Sequence, residues 1–204
     1  MENLAASASA RHISPMFIQT EATPNPEVLK FLPGREVLGE GAREFASPEE
    51  AEVSPLASVL FELGDVTRVF FGPDFVTVTK APGAEWPHLK APVLAAIMDH
   101  FTSGRPIISD ASQDAGHDDT AYEGESAQIV AEIKDLLDTR IRPAVAQDGG
   151  DITFSRFEAD TGIVWLHMRG ACSGCPSSSA TLKAGVENML KHYIPEVTRV
   201  EQTL

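Results

Sequence analysis

Residues 109–126 (SDASQDAGHDDTAYEGES) contain neither a basic side chain nor a single Leu, Val, Ile or Phe. Such a run cannot bury enough apolar surface to offset its own ordering entropy. It therefore splits a chain of 204 residues into two pieces, each of which must build its own small core. The expected organisation is a flexible leader over 1–15, a first domain over 16–104, an acidic linker over 105–126 and a second domain over 127–204. Between 105 and 128 there are six acidic side chains and one basic one, which makes a solvated, self-repelling connection. A metal site from Asp114, His117, Asp118 and Asp119 is the other reading of this run. It lacks the spaced carboxylates and turn glycine of a calcium loop.

Charge and cysteine usage exclude several classes of function. A formal net charge of -14 and a pI near 4.7 leave no electrostatic footprint for nucleic acid or for an anionic membrane surface. The longest uncharged apolar run, 91–98, is far short of the roughly 18 residues that a membrane span requires. The chain reads as soluble, with proteins or small ligands as partners. Two cysteines, both in one short motif, do not make a secreted disulfide scaffold, so a reducing compartment is expected. The leader MENLAASASARHISP has no apolar h-region and so does not read as a secretory signal. A bacterial cytoplasm is the first expectation, and the mitochondrial matrix, reached through a short transit segment, is the alternative.

The fold class expected is α+β in both halves. In the first, 17–20 and 28–31 are strand candidates around the turn-forming TPNP, and Ser54-Pro55 opens a short amphipathic helix that Gly64 ends. The β-branched and aromatic runs 66–71 and 75–79 flank Gly72-Pro73-Asp74 as a hairpin, and 89–101 reads as a closing helix. These aromatic and branched residues have core spacing, not catalytic spacing.

In the second half, Ile129, Ile133, Leu136, Leu137 and Ile141 form one face of a helix over 126–142, limited by Pro143. The paired glycines of QDGGD supply positive φ for a turn into a strand over 152–157. Asp160-Thr161-Gly162 turns the chain back along 163–168. Leu182, Val186, Met189, Leu190 and Tyr193 define a second amphipathic helix closed by Pro195, and 197–202 is a last strand. The second domain is thus α-β-β-α-β, two helices on a small mixed sheet.

Chemistry concentrates in GACSGCPSSS, where Cys172 and Cys175 form a C-x-x-C between a strand and a helix. Gly170, Gly174 and Pro176 shape the loop, and small neighbours should leave both sulfurs approachable on an exposed loop. Unpaired N–H groups and the helix dipole should favour the thiolates. Three chemistries fit such a pair. A thioredoxin-like dithiol needs a different domain context, since here two helices flank a hairpin. Structural zinc needs four ligands and the chain offers no second pair; His167, the histidine nearest the motif, reads as a half-buried strand residue. An iron-sulfur cluster also needs four thiolates, so a cluster would require two copies of the chain to bring their cysteines together about a two-fold axis. A cluster held at such a seam is readily surrendered, which suits a carrier.

The segment 129–200, with its QDGGDI and GACSGCPSSSATLKAGVE, resembles the C-terminal domain of the NifU-like (Nfu) iron-sulfur cluster scaffold and carrier proteins. Residues 16–101, carrying MFIQTEATPNPEVLKFLPG, SPLASVLF, VFFGPDFVTVTK and WPHLK, resemble the Nfu-type N-terminal domain. The resemblance implies a protein that is not an enzyme, in which Cys172 and Cys175 ligate a [4Fe-4S] cluster shared between two protomers. A [2Fe-2S] cluster is the lesser variant. It further implies a homodimer when loaded, upstream cluster assembly proteins as donors and apo iron-sulfur enzymes as recipients. The N-terminal domain carries no ligand and suggests partner recognition. A thiol-disulfide oxidoreductase using the same two cysteines is the alternative, and a zinc-binding interaction module is the third.

Overall fold

A computed structural model of the chain describes residues 17–109, 122–173 and 176–203, apart from the side chains of 176–179. The leader, the candidate metal side chains Asp114, His117, Asp118 and Asp119, and both Gly174 and Cys175 of the motif lie outside the described residues.

Alternating apolar and polar residues build the first sheet. Strands β1 (Gln19–Ala22), β2 (Val28–Leu32), β3 (Arg43–Phe45), β4 (Val66–Phe71) and β5 (Val76–Lys80) lie in the order β1-β2-β5-β4-β3, all neighbours antiparallel. The helices α1 (Pro48–Ala51), α2 (Pro55–Glu62) and α3 (Trp86–Ser103) complete this unit. Phe31, Val69, Phe71, Val76 and Val78 share one core with Leu56 and Leu60 of α2 and Val93 and Ile97 of α3. Ser54 caps α2 as expected: its hydroxyl accepts from the Ala57 N–H and donates to the Ile107 carbonyl, with Pro55 in the first turn.

Several boundaries differ from the sequence reading. The first strand starts at Gln19 rather than 17, because its partner β2 ends at Leu32, opposite Gln19. The second hairpin strand runs Val76–Lys80, and α3 begins at Trp86 and ends at the left-handed Gly104. The three residues of β3 and the single turn of α1 were not expected; neither is long enough to show a period.

His100 on α3 is buried, and among the described residues neither ring nitrogen has a hydrogen-bond partner. Burial, aided by the Arg105 charge, lowers its pKa from the ordinary value near 6.5. The unfolded chain therefore binds the extra proton more readily than the folded one. Stability should be complete above about pH 6.5 and decline as pH falls through the lowered value. Urea unfolding at pH 7.5 and 5.5 should show this decline, and His100→Leu should remove that part of it.

The second unit opens with α4 (Glu125–Leu136), passes through a π-turn at Leu137–Ile141 and continues as α5 (Arg142–Gln147). The Arg142 N–H donates to the Leu137 carbonyl, five residues back. Pro143 then sits in the first turn of α5, where its missing N–H costs nothing. The stop expected at Pro143 is thus a change of helical register, not an end. Strands β6 (Gly150–Glu158), β7 (Ile163–Gly170) and β8 (Arg199–Thr203) form a sheet in that order. The pair β6-β7 is antiparallel and β7-β8 parallel, with α6 (Pro176–Tyr193) as the crossover.

The fold is α+β, and the second unit is α-β-β-α-β on a mixed sheet. Val186 and Leu190 of α6 are buried with Ile133, Leu166 and Val200. Tyr193, expected on that face, is 47% exposed; its ring lies under the Arg140 guanidinium, 5.1 Å away. Among the described residues no helix is long and apolar enough to cross a membrane.

Candidate functional site

The C-x-x-C loop is built by close approach of backbone. Gly149 takes φ +83, the left-handed conformation that glycine adopts without strain. Gly150 does not share it; it is already the first residue of β6, paired with Gly170 at the end of the ladder. The expectation that both glycines supply positive φ is corrected: Gly150 is required for space. A Cβ there would lie 2.6 Å from the Cys172 Sγ and 2.7 Å from the Arg169 carbonyl oxygen. Gly170 takes φ +65 and turns the chain out of β7. The Ala171 N–H donates to the Gly149 carbonyl, and the Ser173 N–H and hydroxyl both donate to the Gly170 carbonyl.

Cys172 is a free thiol and only 6% exposed, packed in the core of the second unit. This overturns the expectation of an exposed, approachable sulfur at that position. The reason is its place: it sits in the turn that follows β7, facing the glycine at the start of β6, rather than at the helix end. Burial, with the Asp148 and Asp151 carboxylates nearby, pushes its pKa up to about 12. The dipole-stabilised thiolate expected there is absent in this arrangement. Alkylation of Cys172 in the native apo chain should keep accelerating as pH rises beyond the ordinary thiol value of 9, without a plateau there. A pH series of labelling rates checks this.

Behind the loop, Asp151 accepts two hydrogen bonds from Arg142, from Nε at 2.8 Å and from Nη2 at 3.3 Å. Arg142 also donates to Asp138, and these bonds hold its guanidinium charged. The ion pair ties α5 to the start of β6, directly below the turn. His167 lies on β7 opposite Thr153 and Thr203, half-buried, the structural role expected for it. Among the described residues no three His, Cys, Asp or Glu side chains converge in metal-binding geometry.

The first unit reaches the loop as well. Gly170 N–H donates to the Glu44 carboxylate at 2.8 Å, and the Ser173 hydroxyl lies 2.8 Å from Arg68 and 3.3 Å from Glu44. Lys30 Nζ donates to the Ala146 and Gln147 carbonyls at 2.9 and 3.1 Å. Sequence reasoning missed these residues. One signal was present: a lysine in the middle of the apolar strand VLKFL needs partners if it is buried.

Residues 18–104 match the family model described as scaffold protein Nfu/NifU N terminal, and residues 133–201 match the NifU-like domain. "NifU-like protein 5, mitochondrial" of Arabidopsis thaliana is 52% identical over 187 residues, 92% of this chain and 68% of that protein. The chain belongs to the NifU-like (Nfu) scaffold family. Two further Nfu relatives align as well. "NifU-like protein 4, mitochondrial" of the same plant is 54% identical over 92% of this chain and 66% of its own length. "NFU1 iron-sulfur cluster scaffold homolog, mitochondrial" of Drosophila sechellia is 55% identical over 92% of this chain and 65% of its own. This Nfu chain therefore spans about two thirds of the length of the relatives it matches. Both matched regions fall on the two cores described above, and the C-x-x-C lies inside the second.

Proposed function

We propose that the chain binds an iron-sulfur cluster through Cys172 and Cys175 and passes it to apo-proteins. The observation that carries this reading is the C-x-x-C within GACSGCPSSS, behind a glycine-built turn, in a region matching the NifU-like domain. A relative named as an iron-sulfur cluster scaffold homolog, 55% identical over 92% of the chain, supports it. One chain has two cysteines and a cluster takes four thiolates, so two copies share one [4Fe-4S] cluster, and the loaded form is a homodimer. The protein's own residues supply the ligands and the setting; the cluster is cargo, and no catalytic residue is assigned. Upstream assembly proteins are its donors and apo iron-sulfur enzymes its recipients.

A thiolate is required of both a redox dithiol and a cluster ligand, but the two obtain it differently. Metal coordination removes the thiol proton outright, whereas disulfide exchange depends on the free thiolate. A thiol pushed up to about 12 disfavours the second, whereas metal brings its own driving force for removing the proton. The three relatives are mitochondrial by name, which favours the mitochondrial matrix; none of them supports the bacterial cytoplasm expected first.

The test is cluster transfer. Chain reconstituted anaerobically with ferrous iron and sulfide should activate an apo [4Fe-4S] enzyme in the presence of a chelator that blocks free iron. Activation no faster than by free iron and sulfide would reject the carrier. Failure to retain iron, with a titratable dithiol near about -270 mV, would support disulfide exchange.

A further inference from the structure

The first sheet is covered on both sides. Helices α2 and α3 cover one side. On the other, Phe70, Phe75, Thr77 and Lys30 are 1%, 2%, 2% and 6% exposed, yet none belongs to the helix-side core. What covers them is the turn at Gly149 and the loop that carries Cys172. A Cβ on Gly149 would meet Thr77 at 2.9 Å, and one on Gly170 would meet the Phe70 ring at 3.1 Å. Glu44 and Arg68 hold Gly170 and Ser173, the residues bracketing Ala171 and Cys172. Lys30 holds the carbonyls of Ala146 and Gln147, just before the glycine turn. The loop is fastened on either side of the cysteine.

We propose that this face of the first sheet is an intramolecular cap on the Cys172 loop, which must lift before the loop can meet a second copy of the chain. The inference rests on the shared-cluster reading above, since a loop seated on the first sheet cannot also face the same loop of another copy. The chemistry of the face fits a reversible contact. Apart from the Phe70–Phe75 pair, whose centroids are 5.9 Å apart, its anchors are Lys30, Glu44, Arg68 and Thr77. These groups are readily rehydrated when the face opens, whereas permanently buried surfaces are depleted of charge. The N-terminal unit thereby gains a role of its own: it withholds the ligand cysteine until a donor or a second chain displaces it.

Lys30→Glu places a carboxylate against two carbonyl oxygens and should unseat the cap without touching either core. The full apo chain and this variant are treated with N-ethylmaleimide and each cysteine is followed by mass spectrometry. Losing the charged anchors should raise Cys172 labelling by about tenfold or more, and iron loading should quicken in parallel. The double variant Glu44→Ala/Arg68→Ala, which removes the other anchors, decides the matter if Lys30→Glu does not fold. Folded variants that label Cys172 at the unaltered rate would overturn the cap. Faster labelling with no iron retained by any form would uphold the cap and reject the cluster reading.

Discussion

Alanine at Cys172 will leave the reconstituted chain with iron at background level, and it will also cost stability. The two effects have separate causes. The first follows from ligand count: with two cysteines per chain and four thiolates per cluster, removing one position takes away half of the pair's ligands at a single stroke. The second follows from burial. Cys172 packs in the core of the second unit, so deleting its sulfur removes contacts and leaves a small void, at a cost of about 1 kcal/mol. On an exposed loop, as the sequence suggests for both sulfurs, alanine would leave the fold unchanged; the packing of Cys172 corrects this. Cys175→Ala should abolish iron retention equally. Iron and acid-labile sulfide analysis, with urea unfolding of the same samples, measures both effects.

Gly150→Ala should destabilise the second unit by roughly 1–3 kcal/mol, which for a domain of this size is a fall of several degrees in Tm. The reason is contact rather than conformation. The new methyl would lie 2.7 Å from the Arg169 carbonyl and 2.6 Å from the Cys172 sulfur. The carbonyl is part of the β6-β7 ladder and cannot rotate aside as a side chain can. The ladder must splay or the cysteine loop must move, so loading should also suffer. Gly185 is the control. It is exposed on α6 with nothing within 4 Å of a Cβ, so Gly185→Ala should stabilise the helix by about 0.5–1 kcal/mol. Thermal melts of the two variants should therefore move in opposite directions.

What could be read in the chain beforehand was whatever depends on local pattern. Val66–Phe71 and the Ser54-Pro55 helix start were legible because alternation, branching and capping are decided within a few residues. The α-β-β-α-β order of the second unit was legible for the same reason. The π-turn before Pro143 was not, because it is the tertiary seat of Leu137 and Ile141, both buried, that lets the helix change register and continue. At the site, the C-x-x-C and the glycine turn stood out in the sequence, but the burial of Cys172 did not. That burial is set by a glycine 22 positions earlier in the chain and by the core of the second unit, while the loop on either side is held by residues of the other unit, such as Glu44, 126 positions from Gly170. Pairings over such distances leave no periodic mark.

The central claim is that two chains share one cluster. The most direct measurement is molar mass by light scattering, taken with iron content, across a sizing column run anaerobically on the reconstituted chain. About four irons per two chains, eluting at the mass of a dimer and lost together with the dimer on chelation, is the expected result. A full complement of iron on a chain eluting at 21.9 kDa would contradict it.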